Sequence, residues 1–209
     1  MATSLAKENI MKRIREALVN TVPLPFPNSE GNDSVFVCSA EGPEVVFAEE
    51  FTKLQGKFAF CKDQKDLVLQ LQQLIEQRGW SKVYCNENKL QQILQNINII
   101  NYMDLPSCDV AITSCEYLVA RTGTIVLSTA QDSGRTASVY APVHICVAYS
   151  NQLVNDVKDA LQLMKKKYAD NFPSFITFAS GPSRTADIEK TLVTGVHGPK
   201  EVFCFLIDN

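Results

Sequence analysis

Three short segments concentrate the residues able to do chemistry. The first is Gly181-Pro-Ser-Arg-Thr-Ala-Asp-Ile-Glu189, which follows the apolar run Phe175 to Ala179. Its pattern predicts a strand-to-loop turn opening a short helix, and unpaired N–H groups at a helix start attract anions. Ser183 and Thr185 add hydroxyl donors, and the planar fork of Arg184 suits carboxylate or phosphate. Asp187 opposes a close anion but can cap the helix or orient Arg184. The second segment is Gly195-Val-His-Gly-Pro-Lys200. His197 is one of two histidines in the chain, and a side chain that titrates near neutrality is the candidate acid, base or donor. Gly195 and Gly198 keep its surroundings open.

The third segment is Arg121-Thr-Gly-Thr124, between two apolar pieces. Thr122 and Thr124 offer hydroxyls and Gly123 permits a tight turn. The same residues read equally well as a hairpin connection. Taken together, Thr122, Gly123, Thr124, Gly181, Ser183, Arg184, Thr185, Asp187, His197 and Gly198 are the candidate binders of a small anionic metabolite. The other histidine, His144, lies within the β-prone run Pro142 to Tyr149 and reads as a packed or edge residue. No G-x-S-x-G elbow, phosphate-binding G-x-x-x-x-G-K-[ST] loop, H-E-x-x-H or G-x-G-x-x-G after the first strand occurs, so no motif completes a catalytic set. Whether the chain is catalytic stays open, and no cofactor or metal is expected.

These segments need a scaffold. Ile10, Ile14 and Leu18 recur at helical spacing over residues 4 to 20, and a proline-rich stretch from Thr21 to Gly31 follows. Residues 1–40 are therefore read as a helix and linker, and 41–209 as the main domain. There the chain alternates. Phe58 to Cys61 predicts a strand, and Asp63 to Gln77 a helix capped by Asp63 and stopped at Gly79. A strand over Lys82 to Cys85, a helix over Glu87 to Asn96 and a strand over Ile97 to Tyr102 complete the alternation. Such order predicts right-handed parallel crossovers. Asp109 to Thr113, Tyr117 to Ala120 and Ile125 to Ser128 are apolar pieces joined by turns. A helix is expected over Asn151 to Tyr168. The runs Phe175 to Ala179 and Glu201 to Asp208 are continuously apolar, as in strands covered on both faces. The fold class is α/β, with a mostly parallel central sheet, flanking helices and an N-terminal helical arm.

The 209 residues are 45% hydrophobic and 21% charged, the balance of a globular protein. A net charge of −3 argues against general nucleic-acid binding, which needs a basic face. No run reaches the roughly 18 to 20 apolar residues of a membrane span, and no secretory leader is apparent. The cysteines, Cys38, Cys61, Cys85, Cys108, Cys115, Cys146 and Cys204, are odd in number and form no C-x-x-C pair. They predict free thiols in a reducing cytoplasm, and no zinc or iron–sulfur site on this chain.

The succession Thr122-Gly-Thr-Ile-Val-Leu127, Gly134-Arg-Thr136, Ala141-Pro-Val-His-Ile145, Gly181 to Glu189 and Gly195 to Glu201, closing on an apolar strand ending at Asp208, resembles the LUD-domain family. Within it the chain is most similar to the lactate utilization protein C branch, over roughly residues 40 to 208. The resemblance implies a fold like that of the NagB, ribose-phosphate isomerase and CoA-transferase group. It implies a bacterial role in oxidising L-lactate to pyruvate with two iron–sulfur partners, a heterodisulfide-reductase-type subunit and a ferredoxin-like LUD protein. A chain without closely spaced thiols would leave electron transfer to those partners, acting itself as an accessory or substrate-handling component. Many family members carry Glu just before the Thr-Gly-Thr segment, where this chain has Arg121. That departure counts against transferase chemistry and offers Arg121 as a second anion contact. The alternative is a self-sufficient enzyme or sensor for a phosphorylated or CoA-linked metabolite.

Overall fold

The computed structural model describes residues 5–19, 41–95, 97, 99, 101–186 and 192–208. The chain divides into two units, Met1–Val37 and Cys38–Asn209. The described part of the first is helix α1, Leu5–Val19.

The second unit opens with α2, Pro43–Lys53, an element that the reading of the sequence did not anticipate. Proline at its first turn loses no hydrogen bond, because that N–H has no helical partner. Phe47 and Phe51 recur one helical turn apart, are wholly buried and stack at 5.3 Å. Strand β1, Lys57–Cys61, leads to α3, Gln64–Arg78. Asp63 caps α3 by accepting the Asp66 N–H at 2.9 Å, and Gly79 ends it in the left-handed conformation. Next come β2, Val83–Tyr84, α4, Asn88–Gln95, and β3, Val110–Thr113. Over its described residues, the strand expected over Ile97 to Tyr102 is reduced to a single bridge. Among its described residues only Asn101 bridges to Val83, and the third parallel strand is β3 instead.

Strands β4, Tyr117–Val119, and β5, Thr124–Ser128, form an antiparallel hairpin. A short helix α5, Ala137–Tyr140, precedes β6, Val143–Tyr149. The expected long helix after β6 is shorter: Leu153–Val154 form strand β7, and α6 spans Val157–Tyr168. Asp156 is the reason. Its carboxylate accepts the Lys158 N–H at 3.1 Å while Asp159 reaches back to the Asp156 N–H at 3.1 Å, so the helix starts there. Strand β8, Ile176–Ala179, follows. Then Arg184–Ala186 (β9) pairs antiparallel with Leu192–Thr194 (β10), and β11, Glu201–Ile207, closes the fold.

The central sheet has the order β1-β11-β6-β3-β2 and is parallel throughout. The second sheet, β7-β4-β5-β8, is mixed. Alternation of side chains in the parallel strands produces two cores. On one face Val143, Ile145, Phe203 and Phe205 meet Leu67, Leu71 and Ile75 of α3 and Leu90, Ile93 and Leu94 of α4. On the other, Cys146, Ala148, Val202, Cys204 and Leu206 meet α2 and the inner face of the second sheet through Phe47, Phe51, Leu118 and Ile125. Helix α6 covers the outer face, with Ala160 and Met164 on Val119 and Val126. Each buried side chain of this size contributes roughly 2 kcal/mol. Strand β11 is central and buried, as expected. Strand β8 instead lies at a sheet edge with Phe178 43% exposed, so its apolar run is not covered on both faces. No helix among the described residues is long and apolar enough to cross a membrane.

Candidate functional site

A cavity of about 320 Å³ opens between the two sheets. It lies at the amino ends of β6 and β11, marked by His144 and Val202, not at the carboxyl ends where open α/β sheets usually hold ligands. At the carboxyl ends, polar groups satisfy one another. Glu87 Oε1 accepts the Ser114 N–H at 3.0 Å, and Gln131 joins Ser114 Oγ (3.0 Å) to the Ser128 N–H (2.9 Å). The amino end is open because β8 is set against β6 and β11 across the gap, contributing Thr177, Phe178 and Ala179.

Two loops complete the cavity. Gly181, Pro182 and Ser183 come from the turn after β8, and His197, Gly198 and Pro199 from the turn before β11. Main-chain bonds hold the loops together: the Ser183 N–H donates to Pro199 O at 2.9 Å, and the Gly195 N–H to Ser183 O at 2.9 Å. The chain's two histidines, far apart in sequence, therefore line one cavity. Ser138 and Val139 of α5 form another wall.

Over its described residues, to Ala186, the segment after Gly181 does not open a helix. Arg184–Ala186 is a strand of a hairpin, so the expected array of free helix-start amides is absent, and the Ser183 amide is already bonded. Arg184 donates to the Leu54 carbonyl at the end of α2, and Thr185 is paired within the hairpin against Val193; neither lines the cavity. Asp187 lies outside the described residues.

Thr122, Gly123 and Thr124 form the β4–β5 connection. Gly123 has φ +54° and sits against the α2 backbone, where a Cβ would fall 2.3 Å from Phe51 N. Thr122 Oγ1 lies 2.7 Å from Thr124 Oγ1, which lies 2.6 Å from Ser180 Oγ. Ser180 lines the cavity, so this segment braces the site from behind. Arg121 is ion-paired to Asp156 at 2.7 Å, and that bond, with the Lys158 amide, holds the Asp156 carboxyl below its usual range. The second anion contact expected of Arg121 thus goes to the start of α6.

His144, read from sequence as a packed or edge residue, is 1% exposed and also lines the cavity. Its Nε2 is 2.8 Å from Thr113 Oγ1. Burial pushes the imidazole down to about 4, so it is neutral near pH 7. The only sequence signal was a polar ring within an otherwise apolar strand. Ser138, Thr177 and Ser180 were missed because nothing local distinguishes them from other surface hydroxyls.

Other buried titratable groups lie outside the cavity. Glu116, 3% exposed, accepts from Ser128 Oγ (2.6 Å), Tyr168 OH (2.7 Å) and Lys167 Nζ (2.8 Å). Burial alone would raise its carboxyl, but these donors outweigh burial and hold it below the ordinary value. Cys146 and Cys204 are register partners in neighbouring strands, and Cys115 is buried with them. Among the described residues no group of three or more His, Cys, Asp or Glu is placed to hold a metal.

The site is thus rich in hydroxyl and imidazole, walled by apolar groups and, among the described residues, lined by no Lys, Arg, Asp or Glu. Its volume suits a small metabolite. Comparison with known proteins gives a consistent picture. A lactate utilization protein C from Bacillus licheniformis is 32% identical over 111 residues, 52% of this chain and 46% of that protein. One from Deinococcus radiodurans is 33% identical over 111 residues, 53% of this chain and 51% of that protein. One from Halalkalibacterium halodurans is 37% identical over 101 residues, 47% and 44%. The chain thus matches about half the length of these curated relatives. The crystal structure of a DUF162 family protein from Deinococcus radiodurans superposes with a TM-score of 0.59 at 18% identity, covering 79% of this chain and 96% of that one, so the fold is shared. The LUD domain profile matches residues 101–207, which include β3 to β11 and every cavity-lining residue named above. This chain belongs to the LUD domain family.

Proposed function

We propose that this chain is a substrate-handling component of a bacterial L-lactate utilization system. It binds a small monoanionic carboxylate in the cavity between the sheets, and iron–sulfur partner subunits carry the electrons from L-lactate. One observation carries the reading: Gly181, Ser183, His197 and Gly198 converge on one small cavity, in a chain whose relatives are named for lactate utilization. The wall chemistry sets the charge of the guest. Neutral hydroxyl donors can hydrogen-bond a single carboxylate, whereas a phosphoryl group favours a guanidinium or ammonium, and Arg184 is engaged with Leu54. The volume is also too small to enclose a whole CoA, which makes a CoA-linked guest the poorer fit.

Calorimetric titration of the full chain with L-lactate, pyruvate, inorganic phosphate and CoA tests the binding. The two carboxylates bind and the phosphorylated compounds do not; the reverse order refutes the reading. In a reconstituted system, lactate-dependent electron transfer through the two iron–sulfur partners requires this chain. Equal transfer without it rules out a substrate-handling role.

A further inference from the structure

The proton count around His144 determines what its ring offers to the cavity. Thr113 Oγ1 has one hydrogen, and it donates that hydrogen to the Ser114 carbonyl at 2.9 Å. Thr113 Oγ1 also lies 2.8 Å from His144 Nε2. With its hydrogen committed, the hydroxyl can only accept there, so Nε2 carries the ring proton and donates it. A neutral imidazole has one N–H, and the other nitrogen, Nδ1, therefore holds a lone pair. No described residue bonds Nδ1. Among the described residues no fully enclosed side-chain nitrogen or oxygen lacks a partner, so Nδ1 is not enclosed, and the opening beside His144 is the cavity it lines. Donors dominate the rest of the polar lining: the hydroxyls of Ser138, Thr177 and Ser183 can all turn a hydrogen toward a carboxylate. A buried acceptor that cannot rotate and cannot switch roles stands among them.

We propose that His144 Nδ1 is the acceptor that selects a hydroxyl-bearing guest, a 2-hydroxy monocarboxylate, over the corresponding keto acid. The carboxylate takes the serine and threonine donors, and the 2-hydroxyl donates to Nδ1. A keto oxygen in that place sets a lone pair against a lone pair. A plain alkyl acid leaves Nδ1 unpaired, and a site built for a hydroxyl penalises the guest that lacks it. This inference rests on the carboxylate-binding reading above and adds which carboxylate the cavity prefers.

The test uses the full-length chain. Long-range ¹⁵N–¹H correlation spectra of histidine-labelled protein report the tautomer directly. His144 shows protonated Nε2 and bare Nδ1; an Nδ1–H tautomer overturns the proposal whatever binds. Calorimetry with L-lactate, pyruvate and propionate reads the selection. L-lactate binds about tenfold tighter than the other two, the worth of one buried hydrogen bond. In His144→Phe the ring shape is kept while both ring nitrogens are lost, and the three acids bind alike. Thr113→Val is the second variant; it removes the acceptor that orients the ring, and the preference shrinks. Equal binding of L-lactate and pyruvate by the native chain, or a preference that survives in His144→Phe, overturns the selection and leaves the proposed role in lactate utilization standing. No binding of any of the three acids overturns both.

Discussion

Replacing Gly123 by alanine and, separately, Gly79 by alanine separates backbone strain from steric exclusion in this fold. Both glycines are left-handed, with φ of +54° and +64°. Alanine in that conformation costs about 1 kcal/mol. At Gly79 nothing lies within 4 Å of the added Cβ, so strain is the whole effect. At Gly123 the Cβ falls 2.3 Å from Phe51 N, 2.6 Å from Glu50 C and 2.7 Å from Phe51 Cα, all backbone atoms that cannot rotate aside. Helix α2 must recede by roughly 1 Å to restore ordinary contact. That motion loosens Phe47 and Phe51, both wholly buried and each worth about 2–3 kcal/mol. Losing about half of their combined burial adds about 2–3 kcal/mol, so Gly123→Ala costs about 3–4 kcal/mol against about 1 for Gly79→Ala. Urea unfolding read by Trp80, the only tryptophan, which packs edge-on against Phe203 at 6.1 Å, measures both. Costs equal to within about 0.5 kcal/mol would mean that α2 does not press on residue 123, and the structural account of the Thr122-Gly-Thr segment would be wrong.

Three further outcomes are expected. Ser183→Ala weakens carboxylate binding in calorimetry by about five- to tenfold, whereas Arg184→Ala leaves binding unchanged and lowers the urea midpoint, because its guanidinium holds the Leu54 carbonyl; the opposite pattern would restore Arg184 as the anion contact. Glu116→Gln lowers stability at pH 7 by about 1–2 kcal/mol, since a charge-assisted cluster is replaced by neutral bonds. The folded carboxyl of Glu116 lies below its ordinary value of 4.5, so its contribution is present above that pH and fades as pH falls through the folded value. The native chain should therefore lose more stability between pH 5 and pH 3 than the variant, and parallel curves in acid titration would exclude the cluster. Burial pushes Cys61 up to about 12 and Cys85 up to about 11, so iodoacetamide at pH 8 should leave both unmodified in mass spectra of the folded chain and label them in urea; rapid native labelling would contradict their burial.

The elements read best from sequence were those whose signal is local. The α3 period of Leu67, Leu71 and Ile75, with Asp63 at its start and Gly79 at its end, needs nothing beyond its own turns to declare itself. The strands β1, β6 and β11 are apolar runs between turn residues. Reading failed where a distant partner decides. Residues 97–102 are as apolar as a strand, but β3 takes the place beside β6 and β2 forms the sheet edge, and among the described residues only a bridge from Asn101 to Val83 of β2 remains. Arg184 to Ala186 carries good helix-start chemistry, yet pairing with Leu192 to Thr194 takes up its backbone groups and excludes the helix.

The same division runs through the site. Composition and residue order alone determined the α/β class, the family and the polar character of the two glycine-bounded turns at Gly181 and Gly195, because these depend on local periodicity and on which side chains are present. Tertiary structure decided which of those side chains share a space. Two parallel strands place His144 and Val202 beside each other from positions far apart in the chain, and an edge strand of another sheet closes over them. Arg184, the strongest anion binder by type, was turned onto the Leu54 carbonyl just past α2. His144, the residue least suggestive by context, became a buried ring whose proton is assigned by a threonine on the neighbouring strand. A hydrogen bond depends on ångström-scale position, and position in a sheet is set by strand partners that no local stretch of sequence contains.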